Sequence, residues 1–235
     1  MIQSDLLIIN LRLQTQVYNN MIKTKVFPFN AFQVNTVVLY EENGECVIID
    51  PACDAQHEQQ QLTDFIKEQK LTPVKALNTH CHIDHILGCN FVCEHYNIPL
   101  EIHEAGQPFL DMAPQQGPAY GFSVDTLIKP AKYLNEGDII KVGGSELHIL
   151  YTPGHADGSL CFIDHNAKLI VAGDVLFNGS IGRTDLPTGN FEILKENIQQ
   201  KLFVLDDDFR VICGHGPDTT IGFEKRNNPF VALGL

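Results

Sequence analysis

A layered α/β or α+β sandwich folded as one domain is the architecture that this 235-residue chain predicts. Three observations predict it. Apolar strand patterns and amphipathic helix patterns recur in two rounds along the chain. Polar, glycine-bearing loops follow the strand ends, where such sandwiches carry ligand sites. The helical segments are too few to cover two sheets and leave a second domain over, and the length suits one large core.

Taken in order, residues 24–29, 34–41 and 45–50 read as strands, the last two joined by the hairpin turn Glu42-Asn43-Gly44. Asp50 ends the third strand with a carboxylate, directly after Ile48-Ile49. Residues 55–70 form a glutamine-rich amphipathic helix whose buried side is bracketed by Leu62, Phe65, Ile66 and Gln69. A short buried strand, 73–79, leads into a polar loop. A helix then runs through 86–97, with Asp84 and His85 at or near its start, and a strand follows at 99–103. Residues 104–131 hold Pro108, Pro114, Gly117, Pro118 and Gly121, the composition of a functional loop or lid. Hairpins follow at 138–142 with 145–151 and at 159–164 with 168–172. A helix at 190–202 and a strand at 209–213 close the pattern.

The first twenty residues stand apart. Leu6-Leu7-Ile8-Ile9 is short, is followed closely by Arg12, and has no basic lead or small-residue cleavage site, so it makes a poor signal peptide. The regular pattern starts at Met21, which is a candidate functional start. Residues 1–20 are therefore expected to be an extra segment and 21–235 the core domain, with a cytoplasmic location by default.

Composition narrows the partners. With 16 basic against 29 acidic residues the chain carries −13, and no Lys/Arg cluster stands out, so nucleic acid and anionic membranes are poor partners. No apolar run reaches the ~18 residues of a membrane-spanning helix. Seven cysteines, at 46, 53, 81, 89, 93, 161 and 213, form no CxxC pair and mostly sit in apolar patterns, which fits buried free thiols in a reducing compartment.

The chemistry is concentrated in Asn78-Thr79-His80-Cys81-His82-Ile83-Asp84-His85, the pattern HxHxDH. In extended backbone, residues two apart face the same way, so His80 and His82 converge on one point. The turn that follows aims Asp84 and His85 at a neighbouring point, and two adjacent sites of nitrogen and oxygen donors suit a pair of borderline metal ions, zinc first among them. The same alternation points Cys81 away, giving it a structural role. Three further islands place a metal-competent residue in a glycine-rich turn after an apolar strand: Thr152-Pro153-Gly154-His155, Val171-Ala172-Gly173-Asp174 and Cys213-Gly214-His215-Gly216. Together these are seven donors, five His and two Asp, the right number for two ions if one carboxylate bridges.

These motifs, in this order, resemble the metallo-β-lactamase fold superfamily from about residue 24 to the C-terminus. Gly179-Ser180-Ile181-Gly182-Arg183-Thr184-Asp185, Gly214-His215-Gly216-Pro217-Asp218 and Asn228-Pro229-Phe230 are similar to the short glyoxalase II-like (hydroxyacylglutathione hydrolase-like) enzymes within it. The resemblance implies an α+β fold, an αββα four-layer sandwich in a single domain with the metals at one edge between two sheets. It implies that His80, His82 and His155 hold one ion, that Asp84, His85 and His215 hold the other, and that Asp174 bridges. It further implies a metallohydrolase in which Asp84 and Asp174 serve catalysis with a hydroxide shared by two divalent ions, zinc or else iron or manganese, attacking a small-molecule thioester such as S-lactoylglutathione. No Ser or Cys nucleophile is required. Second-shell support is expected from Asp50 at its strand end, and from Arg183 with Asp185 as a loop-bracing pair.

Full-length glyoxalase II enzymes carry a helical C-terminal domain with basic residues for glutathione; here only Lys225 and Arg226 follow the last ligand, so another thiol is open. Persulfide dioxygenases share the fold and a similar GRTD loop but use one iron, for which His80, His155 and Asp174 would form a facial triad. A lactone or ester hydrolase needs the same metal centre as a thioesterase. A nucleic-acid-processing relative would be expected to carry a basic surface, which the net charge opposes. His57, His95, His103, His148 and His165 are isolated in their patterns and are expected outside the site.

Overall fold

The computed structural model describes residues 21–233; the expectations for residues 1–20 and for the last two residues of the core domain lie outside the described residues. In the first sheet, β1 (Lys23–Phe29), β2 (Val34–Tyr40) and β3 (Glu45–Ile49) are antiparallel neighbours. β4 (Thr72–Leu77), β5 (Leu100–Ile102) and β6 (Lys132–Tyr133) continue it in parallel, giving the order β1-β2-β3-β4-β5-β6. The second half begins with β7 (Ile139–Val142), β8 (Ser145–Tyr151), β9 (Leu160–Asp164) and β10 (Leu169–Gly173), each antiparallel to the next. A small separate hairpin follows, β11 (Leu176–Phe177) with β12 (Ser180–Ile181). β13 (Arg210–Cys213) then pairs parallel to β10, and β14 (Thr219–Thr220) closes the second sheet as β14-β13-β10-β9-β8-β7.

The alternation within these strands builds three hydrophobic layers. Val37, Leu39, Val47, Ile49 and Leu77 of the first sheet pack against Leu147, Ile149, Leu160, Phe162 and Ile212 of the second. The opposite face of the first sheet, with Phe27, Phe29, Val38 and Ile48, is covered by α1 (Gln56–Glu68), α3 (Cys89–Tyr96) and α4 (Gln107–Gln116). The opposite face of the second, with Cys161, Ile163, Ile170 and Val211, is covered by α5 (Phe191–Asn197) and α6 (Ile221–Asn227). This is a four-layer αββα sandwich in a single domain. Each fully buried Leu, Ile or Phe in it contributes about 1.5–3 kcal/mol of transfer free energy.

α1 starts where Glu58 turns back on its own first turn, one carboxylate oxygen accepting from the backbone N–H groups of Asp54 (2.9 Å) and Ala55 (3.1 Å). Leu62 and Ile66 form its buried face, whereas Gln69, expected at the edge of that face, is exposed at the helix end.

The helix expected over 86–97 is broken. A four-residue helix α2 (Ile83–Ile86) ends before Gly88, and α3 begins at Cys89. In a continuous helix the Gly88 N–H would bond to the Asp84 carbonyl. Instead Gly88 donates to the Pro51 carbonyl (2.8 Å), and the Asp84 carbonyl accepts from Asn30 Nδ2 (2.9 Å). A Cβ at Gly88 would lie 2.6 Å from Cys53 Sγ, so only glycine lets the break pack against the loop after β3. Residues 104–131 are also more ordered than a loop: α4 occupies ten of them, with Pro108 in its first turn and Pro114 inside. The helix expected over 190–202 is α-helical through Asn197 and then widens to a π-helical turn over Ile198–Leu202, placing Ile198 and Leu202 in the core. All seven cysteines are free and buried.

Candidate metal centre

β3, β4, β8, β10 and β13 all end at the same edge of the sandwich, and the residues just past those ends converge. Donor atoms of His80, His82 and His155 lie within 4.8 Å of one another; the same holds for His80, His85 and Asp174, and for Asp84, His85 and His215. The seven residues expected from the motifs are thus brought together. Asp174 lies between two groups: Oδ1 is 3.4 Å from His85 Nε2, and Oδ2 is 3.5 Å from both His155 Nε2 and His215 Nε2. His80 Nε2 is 3.3 Å from His155 Nε2, and His85 Nε2 is 3.3 Å from His215 Nε2.

The approach is close enough to demand glycine. A Cβ at Gly214 would stand 2.0 Å from Asp174 Oδ1, and Gly173 takes φ +52° with its Cα facing Thr79. Main-chain bonds between the sheets hold the edge closed. Asn35 N–H donates to the Gly214 carbonyl (2.7 Å), and Leu160 N–H donates to the Thr79 carbonyl (2.7 Å).

The outer nitrogens of four histidines are assigned by their partners. His155 Nδ1 faces the Arg183 carbonyl (2.8 Å) and His215 Nδ1 faces the Phe32 carbonyl (2.8 Å). A carbonyl only accepts, so both Nδ1 atoms carry a proton and both Nε2 atoms point inward. His85 Nδ1 is 3.0 Å from Asp50 Oδ2. The Thr79 hydroxyl donates to the same Asp50 oxygen (2.7 Å), which leaves it to accept from His80 Nδ1 (3.2 Å). His82 packs edge-on to Phe109, ring centroids 5.4 Å apart.

Asp50, singled out at its strand end, is buried, lies in the left-handed region at φ +50°, and accepts also from Thr79 N–H (2.7 Å) and Asn78 Nδ2 (3.3 Å). Arg183 and Asp185 form the expected pair through two 2.8 Å hydrogen bonds, but both side chains are exposed. What Arg183 gives the centre is its main-chain carbonyl. The Phe32 carbonyl and the Thr79 hydroxyl carry no residue pattern that marks them, and sequence reasoning missed both. His57, His95, His103, His148 and His165 belong to none of the donor groups among the described residues.

Electrostatics divide the cluster. Burial, with repulsion from neighbouring imidazoles, pushes His80 well down and His82 down to about 4; His155 is lowered chiefly by burial. Burial also works against the imidazolium of His85 and His215, but the surrounding carboxylates win. Asp174, Asp50 and Asp84 hold His85 well up, and Asp174 with Asp84 hold His215 up to about 10. Asp84 and Asp174 are kept below the usual carboxylate range by those same histidines, against the opposing effect of burial. Asp174 Oδ1 is buried with no hydrogen-bond partner among the described residues, although imidazole nitrogens surround it. An orphaned anionic oxygen among inward-facing imidazole Nε2 atoms is a donor set for cations of the divalent, borderline type.

The centre opens into a cleft of about 540 Å³ whose floor includes His82, Asp84, His155, Asp174 and His215, and whose walls come from α4 and the 183–188 loop. No helix among the described residues is long and apolar enough to cross a membrane.

Comparison with known proteins follows the same outline. The family model described as the metallo-beta-lactamase superfamily matches residues 30–215. The chain is 37% identical over 209 residues to hydroxyacylglutathione hydrolase GloC of Haemophilus influenzae, covering 88% of this chain and 97% of that protein. The crystal structure of BLEG-1 B3 metallo-beta-lactamase superposes with a TM-score of 0.82 at 33% identity, covering 90% of this chain and 100% of the other. The crystal structure of TTHA1623 in a di-iron-bound form gives 0.78 at 31% identity, covering 88% and 99%.

Proposed function

The chain belongs to the metallo-beta-lactamase superfamily, and from that premise we propose that it is a binuclear metallohydrolase that cleaves a thioester of the S-lactoylglutathione type. The observation that carries the proposal is the orphaned Asp174 Oδ1, set between two donor groups at the floor of an open cleft. His80, His82 and His155 would hold one ion, Asp84, His85 and His215 the other, and Asp174 would serve both. When bound, divalent ions supply a Lewis acid for the substrate carbonyl and lower the pKa of water toward ~7.

The chain's own residues do the rest. Asp50, Thr79 and the carbonyls of Phe32 and Arg183 hold a proton on each Nδ1, so four Nε2 atoms are aimed at the centre before any ligand arrives. His85 and His215, the two histidines held up by carboxylates, would each give up a proton to serve as ligands. Cys81, which lines the cleft, is buried, and its pKa is pushed up by burial, so it stays a protonated spectator. The name of the 37%-identical relative supports the thioester reading.

The test is elemental analysis of the purified protein alongside hydrolysis of S-lactoyl thioesters and oxygen uptake on glutathione persulfide. About two ions per chain with thioester hydrolysis is the expected result. One iron with oxygen uptake would replace this reading with a dioxygenase. Two ions with neither activity would discard the thioester and direct the search to lactones.

A further inference from the structure

The cleft above the donor cluster is apolar in a particular way. Phe32, Met112 and Tyr120 line it and remain 44%, 50% and 50% exposed, which is unusual for large apolar side chains gathered around one centre. Phe32 is held by Phe122, ring centroids 5.6 Å apart, and Phe109 by the edge of His82. These are firm apolar walls.

The charges on those walls are few and unfavourable to an anion. Arg183 is the sole Lys or Arg among the cleft-lining residues, and both its Nε and Nη2 are spent on Asp185. Asp157, exposed on the same cleft, adds a negative charge with no ion pair among the described residues. Lys225 and Arg226, the cations nearest the last motif in sequence, are both bound to Asp207 and neither lines the cleft. On these walls a thiol carrying two carboxylates would lose hydration and meet no cation but Arg183, already paired with Asp185, and it would approach a chain of net charge −13.

We infer that the thiol half of the substrate is uncharged and carries an aromatic or similarly large apolar group, an inference that rests on the thioesterase reading. Hydrolysis then forms a C–O bond from water and breaks the C–S bond, whose electron pair leaves on sulfur. One proton of the water goes to the departing thiolate, and the other is released from the carboxylic acid product.

The test compares two lactoyl thioesters on the metal-loaded full chain: that of glutathione and that of N-benzoylcysteamine. The acyl group is the same and both thiols are alkyl, so the ratio of kcat/KM values reports the cleft. One well-placed apolar group is worth roughly 10–200-fold, and the benzoylcysteamine ester is expected to be at least about 10-fold better. In Met112→Arg, a change at an exposed position on α4, the ratio is expected to move at least about 3-fold toward glutathione. A wild-type preference for the glutathione ester, or a ratio that Met112→Arg leaves unchanged, overturns the inference while sparing the hydrolase. Turnover of neither ester overturns the thioesterase reading and this inference with it.

Discussion

Asp50→Asn changes one oxygen for one NH₂ at a position whose left-handed backbone asparagine tolerates. Its effect should reach two histidines. Thr79 N–H needs an acceptor 2.7 Å away, which fixes the new amide with its oxygen toward that N–H and its NH₂ where Oδ2 stood. That NH₂ then meets the Thr79 hydroxyl and His85 Nδ1, both of which donate to Oδ2 in the wild type. The hydroxyl can turn to accept, but its proton then points at His80 Nδ1 and drives the His80 proton onto Nε2. His85, facing a donor, shifts its proton to Nε2 as well. In their neutral forms both histidines then carry the proton on the nitrogen that faces the cluster, and each of the two ion-holding sets proposed above contains one of them. Changes to such outer partners lower metal affinity about 10–100-fold, and the buried donor conflict should destabilise the fold by about 1–3 kcal/mol. Competition with a chelator of known affinity, read by elemental analysis, measures the first; thermal unfolding measures the second. Loss of one ion with the other held at wild-type affinity would refute the Thr79 relay, and wild-type affinity for both would refute the tautomer argument altogether.

Gly214→Ala should displace the Asp174 carboxylate, since the added Cβ falls 2.0 Å from Oδ1; metal content is expected to drop, with about 1–3 kcal/mol of overpacking cost, as read by elemental analysis and denaturant titration. Arg183→Ala should leave metal content unchanged, because His155 is held by the main-chain carbonyl, and a loss of metal would show that the exposed side chain matters after all. Metal-free protein should lose stability as pH falls from about 6.5 to about 4. Burial and the neighbouring imidazoles hold His82 down at about 4 in the folded state, so its contribution is present above its unfolded pKa and is lost as pH drops through the folded one. That contribution is worth about 3 kcal/mol. His85 and His215 are shifted upward, so their contributions are fully present below pH ~6.5 and do not offset the loss. An acid-insensitive melting temperature across that window would contradict the assignment.

The donor cluster was legible because its signal is local. His80, His82, Asp84 and His85 fall within six residues, and His155, Asp174 and His215 each follow an apolar strand. The αββα layering came from resemblance, since alternation shows that a strand is buried and leaves open which sheet covers it. What escaped was set by distant main chain. The break at Gly88 depends on Asn30 and Pro51, and the orientation of His215 depends on the carbonyl of Phe32, which any residue could supply. β6, β14 and the β11–β12 hairpin are two-residue strands, too short for a period to register. Arg183 and Asp185 were found as a pair, yet the pair faces solvent while the backbone beneath it does the positioning.

The placement of the donors has an energetic consequence. His80 and His82 lie between β4 and α2 and Asp84 and His85 in α2, all after the first sheet's β4, whereas His155, Asp174 and His215 leave the second sheet. Each of the two ion-holding sets proposed above therefore draws on both sheets. Ions bound there would join the sheets at an edge already held by the Asn35–Gly214 and Leu160–Thr79 bonds. Keeping Asp174 Oδ1 buried and unbonded among imidazoles is the cost of a preformed site, and stabilisation on metal binding should grow with the free ion concentration.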